Sequence, residues 1–205
     1  MKKCKYPRTV HLPYSEGTTN DDKKLSNTEH FQGKQVIVTI KMDGENSTLY
    51  KDGFHARSLD SSHHESQSWL KNFHNNIKHQ MDERRICGEN LYAKHAIQYN
   101  NLDSYFLGFS VWLNDTCLSW EDGISYMKDT GVIPVDIIYQ GLYDEEFIKS
   151  LYNPGSNMEG FVVRLADSFK LEDFDISVAK FVRKDHVRST KHWSTQSVIK
   201  NKLKN

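Results

Sequence analysis

Several features that would restrict the function of this protein are absent from the sequence. No apolar run approaches the roughly 18 residues that a transmembrane helix needs, and no secretory apolar region follows the basic start. The positive and negative side chains balance to a formal net charge of zero. That balance argues against binding nucleic acid irrespective of its sequence. We therefore expect a cytoplasmic protein without membrane association.

Cysteine is scarce, and histidine lacks metal-binding spacing. The three cysteines, Cys4, Cys87 and Cys117, are too few and too widely spaced for a disulfide framework or a CxxC metal knuckle. The ten histidines include no HExxH pair. The sequence therefore favours unpaired thiols and disfavours a dedicated zinc site.

The length and composition favour a single globular domain. Of 205 residues, 37% are apolar and 26% are charged, without an internal repeat or a long linker. Residues 1–30 are polar and interrupted by prolines, which predicts an irregular arm with one short strand at Thr9–Leu12. From Val178 to Asn205, eight Lys or Arg face one acid, a net +7. This tail could bind phosphates, or it could be a solvated basic helix.

The most informative stretch begins with an alternating, β-branched run. Val36–Ile40 reads as a strand, and Asp43-Gly44 reads as the turn that ends it. Lys41 would then lie at the edge of a sheet, where a fixed backbone presents its amine to a ligand. Lysine suits covalent chemistry because its pKa falls readily on burial or beside another cation.

Further elements follow in order. A hairpin about Lys51-Asp52-Gly53 would bring Arg57 to the face that carries Lys41, although a plain surface arginine is equally compatible. Phe106 and Phe109 lie in a buried strand and could be core aromatics. The remaining predicted elements are a helix over Ser66–Met81, a strand ending at Gly88-Glu89, helices capped by Ser119 and Asp144, strands at Met158–Leu165 and Ser177–Arg183, and a helix at Thr190–Leu203.

Six short motifs in this order resemble those of the covalent nucleotidyltransferases, which include the polynucleotide ligases and mRNA capping enzymes. The segments are Lys41-Met42-Asp43-Gly44 (motif I), Arg57-Ser58 (Ia), Gly88-Glu89 (III), Phe106–Phe109 (IIIa), Glu159–Arg164 (IV) and Lys180–Arg183 (V). The chain is most similar to ATP-dependent RNA ligases of the phage-type RNA ligase 2 branch. The resemblance implies a single α+β nucleotidyltransferase domain over residues 1–205, ATP-grasp-like, of antiparallel sheets with flanking helices. In it, residues 1–30 form the arm and residues 184–205 a basic C-terminal helix.

The resemblance also implies a function in RNA joining. Such ligases attach AMP from ATP to a lysine, transfer it to an RNA 5′-phosphate, and seal that end to a 3′-hydroxyl. The expected cofactors are ATP and Mg²⁺, with Mn²⁺ as a substitute, and the expected partners are RNA ends without an obligate protein partner. RNA repair would be the context, with a phage- or virus-encoded protein as one setting.

The resemblance assigns roles to particular residues. The catalytic set is Lys41 as nucleophile, Lys180 as a cation at the α-phosphate that also favours neutral Lys41, and Glu159 as the metal ligand. The expected ATP-binding residues are Ile40, Lys41, Asn46, Arg57, Glu89 on the ribose, Phe109 on adenine, Glu159, Lys180 and Arg183. The expected RNA-binding residues are Asn46, Arg57, Lys184 and Arg188.

The sequence departs from the family pattern at three places. Motif V has Val182 where relatives often carry a second cation, so Arg183 would face away from Lys180 in a regular strand. Ser110 replaces a common aspartate. The chain also ends soon after motif V, which predicts no OB-fold domain and argues against DNA ligases and capping enzymes. The alternatives are a GTP-dependent capping-type guanylyltransferase and a catalytically inactive nucleic-acid-binding relative.

Overall fold

The computed structural model describes residues 3–59, 64–184 and 198–204. This part of the chain forms twelve strands and four α-helices, together with short 3-10 turns. The strands are β1 (Val10–His11), β2 (Gln35–Ile40), β3 (Glu45–Tyr50), β4 (Gly53–Ala56), β5 (Arg85–Asn90), β6 (Phe106–Leu113), β7 (Thr116–Cys117), β8 (Ile133–Pro134), β9 (Ile137–Leu142), β10 (Gly160–Leu165), β11 (Phe169–Lys170) and β12 (Val178–Val182). The helices are α1 (Ser68–Ile77), α2 (Trp120–Asp129), α3 (Glu145–Ser150) and α4 (Phe174–Ser177).

Two sheets form the body of the molecule. The first has the strand order β1-β12-β10-β2-β9, and the second has the order β11-β7-β6-β5-β3-β4 with β8 beside β6. All neighbours are antiparallel except the parallel pairs β1 with β12 and β6 with β8. The predicted fold, a single α+β domain of antiparallel sheets with flanking helices, is confirmed.

Alternation along β2 explains how the first sheet is covered on both faces. Val36 and Val38 belong to a buried cluster on one face, whereas Ile37 packs into a different cluster with Leu107 of β6. Successive side chains of a strand point to opposite faces. The second face of β2 therefore packs toward the second sheet, and its C-terminal end leads directly to Lys41.

Pairing of β2, β10 and β12 determines which side chains meet. Ile40 lies opposite Phe161, and the Lys41 amide donates to the Gly160 carbonyl at 2.9 Å. A Cβ atom on Gly160 would lie 2.0 Å from the Phe181 carbonyl oxygen, so only glycine fits between these strands. The beginning of β10 is thereby held close to both the end of β2 and the end of β12.

The helices begin and end where their capping residues predict. The Ser119 side chain accepts from the Asp122 amide before α2, and that of Asp144 accepts from the Phe147 amide before α3. The helix predicted over Ser66–Met81 is α1 with a 3-10 turn at each end. Its Ile77 is buried in a cluster against the second sheet. No helix among the described residues has both the length and the apolar character needed to cross a membrane.

The helix predicted at the C-terminus is wrong for residues 198–204. These residues are extended, and Lys200 and Leu203 form isolated bridges with Ala93 and Leu102. The Asn201 side chain is buried and bonds to the backbone of the 91–99 loop, which favours an extended chain over a helix. The rest of the predicted helix, residues 185–197, lies outside the described residues.

Candidate functional site

A cavity of about 620 Å³ opens beside Lys41. Residues from β2, β3, β4, β5, β6 and β12, or adjoining these strands, contribute to its lining. Of the residues predicted to bind ATP, it includes Ile40, Lys41, Asn46, Arg57, Glu89, Phe109 and Lys180. Motif segments that are far apart in the sequence therefore converge on one cavity, which we name the Lys41 cavity.

Lys41 and Glu159 form an ion pair at its edge. Lys41 Nζ lies 2.6 Å from Glu159 Oε1, and Glu159 is only 4% exposed. Burial lowers the pKa of Lys41, but the nearby carboxylates of Glu159 and Glu89 outweigh it and raise the pKa above its ordinary value. Lys41 is therefore a protonated ammonium in this arrangement. Lys41 and Lys180 are close enough for like-charge repulsion, but at Lys41 the carboxylates dominate. That Lys180 favours neutral Lys41 during the reaction stays a prediction.

Glu89 provides a second buried acid beside Lys41. Burial raises its pKa to about 8, with Glu159 and Asp43 adding to the rise and Lys41 opposing it. The Gly44 amide donates a hydrogen bond to its carboxyl group. At neutral pH most of the Glu89 side chains hold a proton, so the group can both donate and accept hydrogen bonds.

Lys180 enters the cavity from β12. Burial lowers its pKa, and the neighbouring Lys41 lowers it further, whereas Asp22 and Glu159 act in the opposite direction. Asp22 Oδ1 lies 4.0 Å from Lys180 Nζ. Asp22 comes from the N-terminal arm, so that arm contributes a charged group to the surroundings of this lysine.

The N-terminal arm also lines the cavity, which the sequence analysis did not predict. Tyr6, Pro7, Arg8 and Thr9 all contribute to its wall. The Tyr6 ring packs edge-on against Phe109, with 5.2 Å between the ring centroids. Nothing in the local pattern of residues 1–30 indicated this contact, because it depends on β1 joining the first sheet beside β12.

Asn46 and Arg57 present polar groups at different depths. Arg57 is exposed, and it lines the cavity directly after β4. The Asn46 Oδ1 atom is buried and has no hydrogen-bond partner within the described part of the chain. An unsatisfied buried acceptor costs free energy unless a ligand satisfies it. Asn46 is thus a candidate for contact with a bound donor group.

Among the described residues, three of the predicted site residues do not line the cavity: Glu159, Arg183 and Lys184. Arg183 does not line it, although its backbone amide donates to the Glu159 carbonyl at 3.0 Å. Lys184 is exposed and is also absent from the lining. Arg188 lies outside the described residues. Lys180 and Arg183 are three positions apart, so their side chains would point to opposite faces of a regular strand, and Arg183 follows the last residue of β12.

Comparison with solved structures identifies similar folds. RNA ligase of Naegleria gruberi, in a variant bound to ATP and Mn, matches with a TM-score of 0.56 and 18% identity over 89% of this chain and 61% of that one. The same ligase with PPi gives a TM-score of 0.56 and 20% identity over 89% and 61%. An archaeal ATP-dependent RNA ligase gives a TM-score of 0.58 and 14% identity over 87% and 48%.

The chain spans 61% or less of the length of these three solved structures. At such low identities the matches show a shared fold. A search of curated proteins found no match. A family model described as RNA ligase, however, matches residues 34–182, which is well over half of the chain and includes motifs I to IV and the first three residues of motif V. The chain therefore belongs to the RNA ligase family.

Proposed function

We propose that this protein is an ATP-dependent RNA ligase that joins 5′-phosphate and 3′-hydroxyl RNA ends through a lysyl-AMP intermediate. The observation that carries the proposal is the position of Lys41. Its amine lies in a cavity of about 620 Å³ beside Glu159, with Lys180 and Glu89 also in that region. Phosphoryl transfer depends mainly on positioning and on neutralising charge, and this arrangement supplies both.

The first step forms a bond between Lys41 Nζ and the α-phosphorus of ATP. The ammonium first gives a proton to water, because only the neutral amine is a nucleophile. As the P–N bond forms, the bond from the α-phosphorus to the bridging oxygen breaks, pyrophosphate leaves, and the nitrogen loses a second proton to water. Lys180 would neutralise the α-phosphate charge, and Arg57 at the cavity mouth would bind a phosphate through its planar fork.

Other side chains would hold the nucleoside. Glu89 would bind the ribose hydroxyls, and its pKa of about 8 makes it able to donate as well as to accept. Phe109 would stack on adenine, with Tyr6 supporting the ring edge-on. Ile40 contributes apolar surface beside the base or ribose. Asn46 would accept a hydrogen bond from the nucleotide or the RNA end through its buried Oδ1 atom.

A divalent cation fits the donor set only in combination with phosphates. Among the described residues, no group of three His, Cys, Asp or Glu side chains could hold a metal ion. Mg²⁺ and similar ions are commonly held by one or two carboxylates together with substrate phosphates and water. Glu159 is a buried carboxylate of this kind. When bound there, Mg²⁺ or Mn²⁺ would neutralise phosphate charge and offset the anion that keeps Lys41 protonated.

The later steps concern the RNA. An oxygen of the RNA 5′-phosphate would then bond to the phosphorus of the AMP on Lys41. The P–N bond breaks, and the nitrogen takes up a proton to restore the amine. A 3′-hydroxyl would then attack that activated phosphate, losing its proton and expelling AMP. RNA repair in the cytoplasm, including a phage- or virus-encoded setting, is the context that we propose. Lys184 and Arg188 stay predictions as RNA contacts.

Labelling with nucleotide tests the proposal. The protein is incubated with ATP or GTP carrying a radioactive α-phosphate and with Mg²⁺ or Mn²⁺, and the denatured protein is examined for covalent label. We expect labelling from ATP in the wild type and none in Lys41→Ala. The matched control is Lys34→Ala, which removes an exposed lysine just before the same strand and should retain the label.

The other outcomes identify the alternatives. Preferential labelling from GTP would identify a capping-type guanylyltransferase instead. RNA binding without any labelling of the wild type would indicate a relative that has lost catalysis. Labelling that survives Lys41→Ala would show that another residue is the nucleophile. Sealing of nicked and single-stranded RNAs by the wild type then tests the joining steps directly.

A further inference from the structure

A basic groove lies away from the Lys41 cavity, between α1 and the turn that joins β3 to β4. Its lining includes Lys3, Lys51, Lys71, Lys78 and His79. All five are exposed, and Asp52 is the one acidic residue that also lines it. We name these five residues and the surface between them the lysine groove.

The charge of the lysine groove is a local feature and not a consequence of a basic protein. The chain has no net charge, yet the segment 66–81 that contains α1 has no Asp or Glu. Lys71 lies in α1 and Lys78 directly follows its last residue, so the two lysines, seven positions apart, lie on one side of this helical segment. Within the described residues, neither lysine nor Lys51 forms an ion pair, so these charges are available to an external anion.

The hairpin of β3 and β4 connects the lysine groove to the cavity. Gly53 and Phe54 line the groove, and Ala56 and Arg57 line the cavity. Four residues of strand span about 13 Å, which corresponds to about four nucleotides along one strand of a helix. We propose that the lysine groove binds the phosphate backbone of the RNA strand whose end occupies the Lys41 cavity. This inference rests on the proposed function, because it takes RNA as the substrate.

Salt-dependent RNA binding tests the lysine groove. The probe is a fluorescent, 5′-phosphorylated single-stranded RNA of about 20 nucleotides, and its affinity is measured over a range of salt concentrations without ATP. The test variant is Lys71→Gln with Lys78→Gln, and the matched control is Lys34→Gln with Lys128→Gln, two exposed lysines elsewhere. Loss of two phosphate contacts should reduce the slope of log affinity against log salt by about 1.4.

The outcomes separate this inference from the proposed function. If the groove variant unfolds at the wild-type temperature but shows the same slope of log affinity against log salt as the wild type, the inference is overturned. It is also overturned if the control variant lowers that slope by the same amount. A probe shortened to a few nucleotides should bind wild type and groove variant alike, because it does not reach the groove. Failure of the wild type to label with ATP would overturn the proposed function and leave these slopes unaffected.

A second, independent observation concerns Asp22 in the N-terminal arm. Its carboxylate accepts from the Thr19 amide at 3.0 Å and from the Thr19 hydroxyl at 2.9 Å. Asp22 Oδ2 also lies 3.5 Å from His11 Nε2, and its Oδ1 lies 4.0 Å from Lys180 Nζ. The carboxylate is therefore fixed by its own segment while it faces the lysine of motif V.

The same arm is tied to the backbone of β12. His11 pairs with Lys180 in parallel register, and the Leu12 amide donates to the Lys180 carbonyl at 2.8 Å. Ser15 Oγ accepts from the Val182 amide at 3.0 Å and contacts His11 Nδ1 at 2.8 Å. We infer that Asp22 is a positioning residue, which directs the Lys180 ammonium to the phosphates of ATP. This inference also rests on the proposed function.

A double-mutant cycle on ATP binding tests this role. The dissociation constant of ATP with Mg²⁺ is measured by calorimetry in a Lys41→Ala background, so that no label is transferred. Asp22→Asn should weaken binding several-fold, whereas Asp21→Asn, the same change at the exposed neighbour, should not. Coupled residues give non-additive effects, so Asp22→Asn should have no further effect once Lys180→Gln is present.

Additive effects of Asp22→Asn and Lys180→Gln would overturn the positioning role. So would equal weakening by Asp21→Asn. Asp22→Glu retains the charge and is expected to recover part of the affinity, which an effect on folding alone would not explain. If the wild type bound no ATP, the proposed function itself would fail, and the two cases are therefore distinguishable.

Discussion

Lys41, Glu159 and Glu89 place one amine and two carboxyl groups in a single buried region. Their ionisation is mutually dependent: Glu159 and Glu89 raise the pKa of Lys41, and Lys41 partly offsets the rise in the pKa of Glu89. The arrangement stabilises the protonated form of Lys41, which is not a nucleophile. The proposed attack by Lys41 therefore requires a change in the charge around it, which a divalent cation bound by Glu159 would supply.

The raised pKa of Glu89 predicts a pH-dependent stability. In the folded state the pKa of Glu89 is raised to about 8, whereas the ordinary pKa of a glutamic acid side chain is 4.5. The stabilisation from this proton is complete below about pH 4.5 and is lost as the pH rises through about 8. Each unit of difference between the folded and unfolded pKa corresponds to about 1.4 kcal/mol. Relative to wild type, the free energy of unfolding of Glu89→Gln should therefore rise by at least about 1 kcal/mol as the pH increases from about 4.5 to about 8.

Urea unfolding at several pH values measures this difference. The free energy of unfolding of Glu89→Gln minus that of wild type should rise with pH. Glu83→Gln, at an exposed position, is the matched control and should give a difference that does not change with pH. A constant difference for Glu89→Gln would show that Glu89 ionises normally in the folded protein.

At the scale of elements, the site depends on how closely β10 approaches β12. Gly160 pairs with Val182, and no side chain fits between Gly160 and the Phe181 carbonyl. The residue before Gly160 is Glu159, and the strand opposite carries Lys180. The close approach of these backbones therefore determines the distance between the acid and the two lysines.

Two glycine substitutions should have opposite effects on stability. Gly160→Ala would force β10 and β12 apart, so it should lower the free energy of unfolding by about 1–3 kcal/mol or more. The variant should also lose labelling from ATP. Gly123→Ala lies within α2, where a new Cβ meets only Val111, at 3.8 Å. Gly123→Ala should raise the free energy of unfolding by up to about 1 kcal/mol, because alanine has a higher helix propensity than glycine. Denaturant unfolding of both variants checks this contrast, and a neutral Gly160→Ala would contradict it.

At the scale of the whole molecule, the last described residues hold a loop near motif I. Asn201 Oδ1 accepts from the Tyr99 amide at 2.9 Å, and its Nδ2 donates to the Leu91 carbonyl at 2.8 Å. The Tyr99 hydroxyl in turn accepts from the Asp43 amide at 3.0 Å. The C-terminal segment thus supports the turn that follows Lys41, although Asn201 lies 158 residues after Asp43 in the chain.

Asn201→Ala should therefore affect both stability and labelling. Removal of the side chain leaves buried backbone groups without partners and should cost about 1–3 kcal/mol. The rate of labelling from ATP should fall because the Asp43-Gly44 turn loses support. Asn101→Ala, at an exposed position in the neighbouring loop, is the control and should resemble wild type in thermal unfolding and labelling. Equal effects of the two substitutions would argue against this role of the C-terminal segment.

Local sequence was sufficient wherever a structure depends on residues close along the chain. Ser119 and Asp144 cap helices through bonds to amides three residues away, and the alternation of Val36–Ile40 specifies a strand. The order of the motifs was likewise sufficient to indicate the RNA ligase family, which the family match confirms. These features need no knowledge of distant partners.

Only the tertiary structure decided which groups meet and in what ionisation state. Glu159 reaches Lys41 across 118 residues of sequence, through the register of β2 with β10. The arm supplies Tyr6 and Asp22 because β1 joins β12, and residues 198–204 are extended because the 91–102 loop offers them hydrogen-bond partners. Burial and the sum of nearby charges determine each pKa, and both are properties of the folded arrangement that no local pattern contains.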